Sequence, residues 1–229
     1  MILLDLFCKA GGAGMGYHRA GVDVVGVDIE PQKNYPFEFV QADAIEYLAD
    51  RGKEFDAIHA SPPCQAYSKA MKHLSNGAPM LIDETRDQLA ATGRLWVIEN
   101  VEGAPLATCS TLWGEHGVLL CGTMFGMRIF RHRKFETNFK ISPPKACDHN
   151  VIPLNPHRAN GDPGGPIAGR ARMRAEFGND INCEKIWAKE MGVDWMSRLE
   201  ARQAIPPAFT EWIGRRLIQC LSGVSAALS

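Results

Sequence analysis

Three features of the chain predict an α/β fold built on a sheet of the buried, parallel kind. Short apolar runs recur along the N-terminal part, helix-like stretches separate them, and the candidate functional groups fall where a run ends. In an open α/β sheet, functional groups gather at the carboxyl ends of the strands, so the third feature supports the first two.

The first strand covers Met1–Phe7 and runs into Cys8-Lys9-Ala10-Gly11-Gly12-Ala13-Gly14-Met15-Gly16. A helix-like stretch over Met15–Ala20 is closed by Gly21. A glycine-rich turn between a strand and a helix lets backbone N–H groups approach a cofactor closely. Val22–Val27 forms a second strand that ends at Asp28, placed to bind a ribose hydroxyl pair. Phe39 to Ala42 is a short third strand ending in Asp43, whose carboxylate can accept from an adenine amino group or cap the next helix. That helix spans Ala44–Gly52, and Phe55–Ala60 is the fourth strand. Ala66–Met80 is polar and reads as a mobile loop. Ile82–Thr92 is a helix with Gly93 as its stop, and the strand Leu95–Ile98 leads into Glu99-Asn100-Val101. Further on, Gly117–Leu120 and Phe125–Phe135 are β-rich, and alternation puts Arg131 and Arg133 on one face. Pro143–Gly169 is irregular, Arg170–Phe177 reads as a short basic helix, and Trp187–Met196 is helical. A last helix begins near Pro206-Pro207 and runs through Ala208–Leu221, with apolar positions at core-packing spacing.

The corner Ser61-Pro62-Pro63-Cys64-Gln65 carries the sharpest chemical signal. Two prolines fix φ and remove two backbone donors just before the thiol. A buried structural cysteine does not need that setting, whereas a nucleophile does, because its sulfur must stand clear of the sheet. Glu99 ends a neighbouring strand, so a thiol and a carboxylate share one rim. Burial there raises a glutamate's pKa and lets it donate a hydrogen bond.

With 229 residues and 45% hydrophobic content, the chain can bury one core with a small appended lobe. No apolar run is long enough to cross a membrane, and the chain enters its first strand without a basic leader, so no membrane association and a cytoplasmic site are expected. Seven scattered cysteines make no disulfide framework and suit a reducing compartment. Cys147, His149, His157 and Cys183 have irregular gaps and include no C-x-x-C pair, so no metal site is expected. Net charge is -1, but Arg128–Arg174 holds ten Lys/Arg against three acids. A basic segment in an acidic body has the charge pattern of a polyanion-binding lobe.

Taken together, these segments resemble the DNA cytosine-5 methyltransferases. Asp5-Leu6-Phe7 with Gly11-Gly12 is similar to the family's first motif, in which the Phe ring packs on the adenosine of S-adenosylmethionine. Asp28 matches the ribose acid and Asp43 the acid for the adenine amino group. Pro63-Cys64-Gln65 with Ser68 resembles the nucleophile motif, Glu99-Asn100-Val101 the motif holding the cytosine edge, and Arg131-x-Arg133 the paired arginines. Ala204-Ile205-Pro206-Pro207, preceded by Gln203, resembles the segment that returns to complete the cofactor site. Lys9 stands where the family usually has glycine, Ile129 where Gln is expected before the arginines, and Gln203 where Asn is usual.

The resemblance implies a Rossmann-like S-adenosylmethionine methyltransferase sheet with helices on both faces and a small irregular recognition lobe. It divides the chain into a catalytic and cofactor-binding domain (1–138), a target-recognition lobe (139–195) and a C-terminal helix returning to the first domain (196–229). It implies catalytic roles for Cys64, Glu99, Arg131 and Arg133, and S-adenosylmethionine contacts from Phe7, Gly11, Gly12, Asp28, Asp43, Pro63 and Gln203. Gln65, Ser68 and Asn100 would contact substrate, and no metal is implied. The partner would be double-stranded DNA with the target base flipped out, the protein a monomer, and the setting restriction-modification in a bacterial or phage-infected cell. The short recognition segment leaves open the same chemistry on RNA or a free cytosine nucleotide. A catalytically silent nucleic-acid-binding relative would have little need of Cys64, Glu99, Arg131 and Arg133 together.

Overall fold

The computed structural model describes residues 1–64, 80–107, 110–111, 114–150 and 183–223. Strands β1 (Ile2–Leu6), β2 (Asp23–Asp28), β3 (Glu38–Gln41), β4 (Ala57–Ala60) and β5 (Leu95–Asn100) are parallel, in the spatial order β3-β2-β1-β4-β5. A separate small pair joins β6 (Ser110–Thr111) to β7 (Gly114–Glu115). Then β8 (Gly117–Cys121) and β9 (His132–Thr137) extend the main sheet antiparallel, with β9 inserted between β5 and β8. This is the α/β sheet that the sequence predicts.

Alternation along the strands builds two cores. Leu3, Ala57 and Val97 face one way and pack under helix α1 (Gly12–Arg19) and the C-terminal helix, with Tyr17, Phe209, Ile213 and Leu217. Leu4, Ile58 and Ile98 face the other way, under α2 (Ala44–Arg51) and α3 (Ile82–Thr92), with Leu48 and Leu89. A period of two along strands and apolar stripes on helices produces this sandwich. A third cluster, Ala10, Ile129, Trp187, Met191, Val193, Met196, Ala201 and Ala204, gathers α4 (Cys183–Glu190), α5 (Arg198–Gln203) and the β1–α1 turn. The C-terminal helix is α6 (Pro207–Leu221).

Several expected elements shift. The segment Phe125–Phe135 is not continuous strand: a 3-10 turn at Gly122–Phe125 ends in Gly126 with φ 76, and β9 starts only at His132. Helix α4 stops at Glu190, and Gly192 is left-handed at φ 71. Helix α5 carries a capping box, Ser197 with Glu200, a signal present in the sequence. Phe139 and Ile141 still pack into the first core, so the chain stays with the main sheet past residue 138. The expected Arg170–Phe177 helix and residues 66–79 of the polar loop lie outside the described residues. Among the described residues, no helix is long and apolar enough to cross a membrane, and the described cysteines 8, 64, 121, 147 and 220 are all free thiols.

The glycine turn has a reason the sequence alone does not disclose. A Cβ on Gly12 would lie 2.5 Å from the Ile205 carbonyl oxygen, and one on Gly16 would lie 2.0 Å from Thr210 Oγ1 and 2.1 Å from the Pro207 oxygen. Thr210 Oγ1 donates to the Ala13 carbonyl at 2.8 Å. These two glycines admit the returning chain and α6 against α1, so the C-terminal segment closes over the turn.

Candidate active site

The carboxyl ends of β1, β2, β4 and β5 open onto one cavity of about 680 Å³, in the size range of small-molecule sites. One end is lined by Asp5, Phe7, Lys9, Gly12, Asp28, Ile29 and Asp43, the other by Ser61, Pro62, Pro63, Cys64, Glu99 and Arg133. Met196, Glu200, Arg202, Gln203, Ala204 and Ile205 from the returning segment close it.

Asp28 ends β2 and is 3% exposed. Its two oxygens accept from the Glu30 and Lys9 backbone N–H groups, both at 3.1 Å, which leaves lone pairs for a ligand on each. Asp43 caps α2, accepting from Ile45 and Glu46 N–H at 2.8 and 3.0 Å through Oδ1; Oδ2 remains for the cavity rim. Phe7 and Lys9 sit at φ 56 and 46, left-handed positions that are costly for residues with a Cβ. Strain of that kind concentrates in ligand-binding turns. The Lys9 ammonium pairs with Glu30 at 3.1 Å and lies 3.8 Å from Asp28. Gly11 is left-handed at φ 81 and precedes α1 without lining the cavity.

Asp5 is fully buried between these groups. Its Oδ2 accepts from Tyr35 O–H at 3.3 Å, while Oδ1 has no hydrogen-bond partner among the described residues. Burial is the main reason its pKa rises from 3.8 to about 8, with the nearby Asp28 charge adding to it. A buried acid with an orphaned oxygen on a cavity wall suits a cationic ligand group.

Around the thiol, Cys64 is half-buried and Glu99 is 6% exposed. Arg133 Nε reaches Glu99 Oε1 at 2.9 Å. Burial pushes Glu99 above the usual glutamate range, against Arg133, Arg131 and a hydrogen bond from Ser61. Burial and the Glu99 charge push the Cys64 thiol up, while Arg133 and Arg131 pull it down. Arg131 precedes β9; its Nη2 donates to the Arg202 carbonyl at 2.9 Å and its guanidinium stacks 5.8 Å from the Trp187 ring. It therefore ties the returning segment to the site, outside the residues that line the cavity.

Asn100 is 1% exposed and does not line the cavity. Its Nδ2 donates to the Pro62 carbonyl at 2.9 Å, and its Oδ1 accepts from Val101 N–H at 2.9 Å. The side chain expected to touch substrate instead holds the proline corner from behind. Gln65 and Ser68 lie outside the described residues.

One polar chain was not anticipated. Tyr17 O–H reaches His59 Nδ1 at 2.9 Å, His59 Nε2 reaches Ser61 Oγ at 2.9 Å, and Ser61 bonds the Glu99 carboxylate. Burial holds His59 down at about 3 and keeps Tyr17 well above 10, so both are neutral at physiological pH. Tyr17 then donates to Nδ1, Nε2–H donates to Ser61, and the Ser61 hydroxyl donates to Glu99. The sequence signal is the alternation His59-x-Ser61 at the end of β4, which puts both side chains on one face.

Residues 1–102 match the family model for the C-5 cytosine-specific DNA methylase. This match spans just under half of the chain. The matched segment contains Asp5, Asp28, Asp43, Cys64 and Glu99, so both ends of the cavity draw on it. Two relatives match less of the chain. The type II methyltransferase M.FnuDI of Fusobacterium nucleatum is 32% identical over 77 residues, 31% of this chain and 22% of the relative. The type II methyltransferase M.XorII of Xanthomonas oryzae is 30% identical over 125 residues, 44% of this chain and 28% of the relative. The chain thus matches less than a third of the length of either. The crystal structure of S. pombe Dnmt2 methyltransferase aligns over 96% of this chain and 99% of that chain, with TM-score 0.59 and 12% identity. At that identity the likeness is one of fold.

Proposed function

We propose that the chain is a DNA cytosine-5 methyltransferase, acting through a covalent Cys64 adduct on a flipped-out base. The observation that carries this reading is the single cavity that joins Asp5, Phe7 and Asp28 at one end to Cys64, Glu99 and Arg133 at the other.

The residues fit S-adenosylmethionine. Phe7 offers a ring face for the adenine, Asp28 has spare lone pairs for a ribose hydroxyl pair, and Asp43 keeps one oxygen for the adenine amino group. Asp5 Oδ1 is suited to the ammonium of the methionine part, and a cation there would restore its carboxylate. Gly12, Pro63 and Gln203 line the same cavity. When bound, the cofactor supplies an electrophilic methyl group on a sulfonium.

Carbon 5 of cytosine is a poor nucleophile. Attack of the Cys64 thiolate on carbon 6 forms an S–C bond and moves the ring's double-bond electrons toward carbon 5 and N3. Glu99, whose pKa burial raises, donates to N3 and accepts from the exocyclic amino group. Arg133 orients Glu99 through their 2.9 Å ion pair and faces the O2 side of the ring. Once carbon 5 has gained the methyl group, a base takes the carbon-5 proton as the C6–S bond breaks, and expulsion of the thiolate restores the aromatic ring. Tyr17, His59 and Ser61 act as positioning residues behind Glu99, and Asn100 behind the Cys64 corner. The ring must leave the base stack to reach this cavity, which implies base flipping for a duplex.

The test uses duplexes carrying 5-fluorocytosine in randomised sequence context, together with S-adenosylmethionine. Fluorine blocks the loss from carbon 5, so the proposal predicts a covalent protein–DNA species that Cys64→Ser abolishes. No adduct from protein shown to bind the cofactor, or an equal adduct from the Ser variant, contradicts it.

A further inference from the structure

A second cluster lies away from the methylase cavity. Cys121 ends β8 and His132 begins β9, and they are direct cross-strand partners. Cys147 and His149 come up to them from the chain beyond β9. The ligand-capable atoms of all four lie within 4.8 Å of one another. Cys121 is buried, His132 half-buried, and Cys147 and His149 exposed.

From this geometry we propose that Cys121, His132, Cys147 and His149 form a structural zinc site. Zinc takes four nitrogen and sulfur ligands in a tetrahedron at about 2.3 Å to sulfur and about 2.0 Å to nitrogen, which puts ligand atoms roughly 3.3–3.8 Å apart. The cluster is within about 1 Å of that spacing, and Cys121 Sγ already stands 3.5 Å from His149 Nε2. Two thiolates and two imidazoles favour zinc over the hard, oxygen-preferring cations, and the two thiolates balance its charge.

The surroundings suit a ligand set. Thr123 Oγ1 lies 3.3 Å from Cys121 Sγ and accepts from Asp148 N–H at 3.2 Å, so one hydroxyl braces both ligand segments. Second-shell hydrogen bonds of this kind orient metal ligands. The His132 and His149 rings meet edge to face with centroids 5.0 Å apart, and Phe130 packs on His149 at 4.7 Å. His132 stands between Arg131 and Arg133, and strand alternation turns it to the opposite face. Zinc there would pin the arginine strand and the chain at Cys147–Asn150 to the end of β8. The pattern C-x10-H-x14-C-x-H has none of the short C-x-x-C spacings, and the β8–β9 pairing replaces them. This revises the expectation of no metal. The ligands involved are Cys121 and His132 in place of His157 and Cys183.

The experiment is metal analysis of tag-free protein purified under reducing conditions, followed by cobalt(II) exchange. The proposal predicts one zinc per chain in the wild type and in Cys220→Ser, falling at least tenfold in Cys147→Ser and His149→Ala, whose exposed sites leave the fold intact. It also predicts the intense visible spectrum of tetrahedral cobalt thiolate. Zinc below a tenth of an equivalent after incubation with excess zinc, or unchanged zinc in Cys147→Ser, overturns it. So does an intact mass two hydrogens light from a Cys121–Cys147 disulfide that resists mild reduction.

Discussion

Replacing Asp5 with Asn tests how the cofactor end of the cavity is held. The wild-type carboxyl is fully buried and its pKa stands at about 8 against 3.8, because burial disfavours the charge. The folded protein therefore keeps a proton that the unfolded chain loses near pH 4. By linkage, stability falls as pH rises through this window, by up to about 1.36 kcal/mol per pH unit. The loss levels off above the folded pKa at no more than roughly 5–6 kcal/mol. Asn imitates the protonated acid: its carbonyl still accepts from Tyr35 O–H, and its amide stands where the unpartnered Oδ1 was. Urea unfolding from pH 5 to 9 should show Asp5→Asn gaining steadily on the wild type until about pH 8 and holding a constant advantage above it. A stability difference that does not change with pH, or a less stable Asn variant at pH 9, refutes the reasoning. The same variant should bind S-adenosylmethionine more weakly.

Other variants test other parts of the account. Calorimetry in buffers of different ionisation enthalpy should show a proton released on cofactor binding near pH 7 in the wild type and none in Asp5→Asn. Asp28→Ala should weaken cofactor binding by about tenfold or more, the worth of one charge-assisted hydrogen bond, and unchanged calorimetric affinity would move the site elsewhere. Gly16→Ala should cost roughly 2–4 kcal/mol, because its Cβ would strike Thr210 and Pro207 across the α1–α6 contact; a denaturation midpoint within error of wild type refutes that packing. Arg86 holds the buried Glu136 through Nε at 2.7 Å and Nη2 at 3.0 Å. Arg86→Met should therefore destabilise by about 3–5 kcal/mol, as expected when a buried charge loses its partner, and a loss under 1 kcal/mol would mean water takes the partner's place.

Much of the sheet was legible because its signals are local. Apolar runs with stop residues marked β1 to β5, and Ile82–Thr92 and the last helix fall within a residue of expectation. The rim of Asp28, Cys64 and Glu99 followed from strand ends alone. What escaped depends on contacts between distant positions. Gly12 and Gly16 are small because residues 205–210 return across them, and no periodicity near the turn records that. Asn100 reads as a substrate group in its motif, yet its partner is a carbonyl 38 positions earlier. Asp43 carries the capping role that any strand-end acid before a helix can take. The insertion of β9 between β5 and β8 is invisible to alternation, and with it the pairing of Cys121 with His132.

The central claim is that the chain methylates cytosine in DNA with Cys64 as the nucleophile that activates the ring. The most direct measurement is to express the chain in a bacterial host lacking cytosine methylation and read 5-methylcytosine in its genome at base resolution. The account predicts marks with the wild-type chain and none with Cys64→Ser. Unmarked DNA from folded protein that binds S-adenosylmethionine, or marks that survive Cys64→Ser, would contradict it.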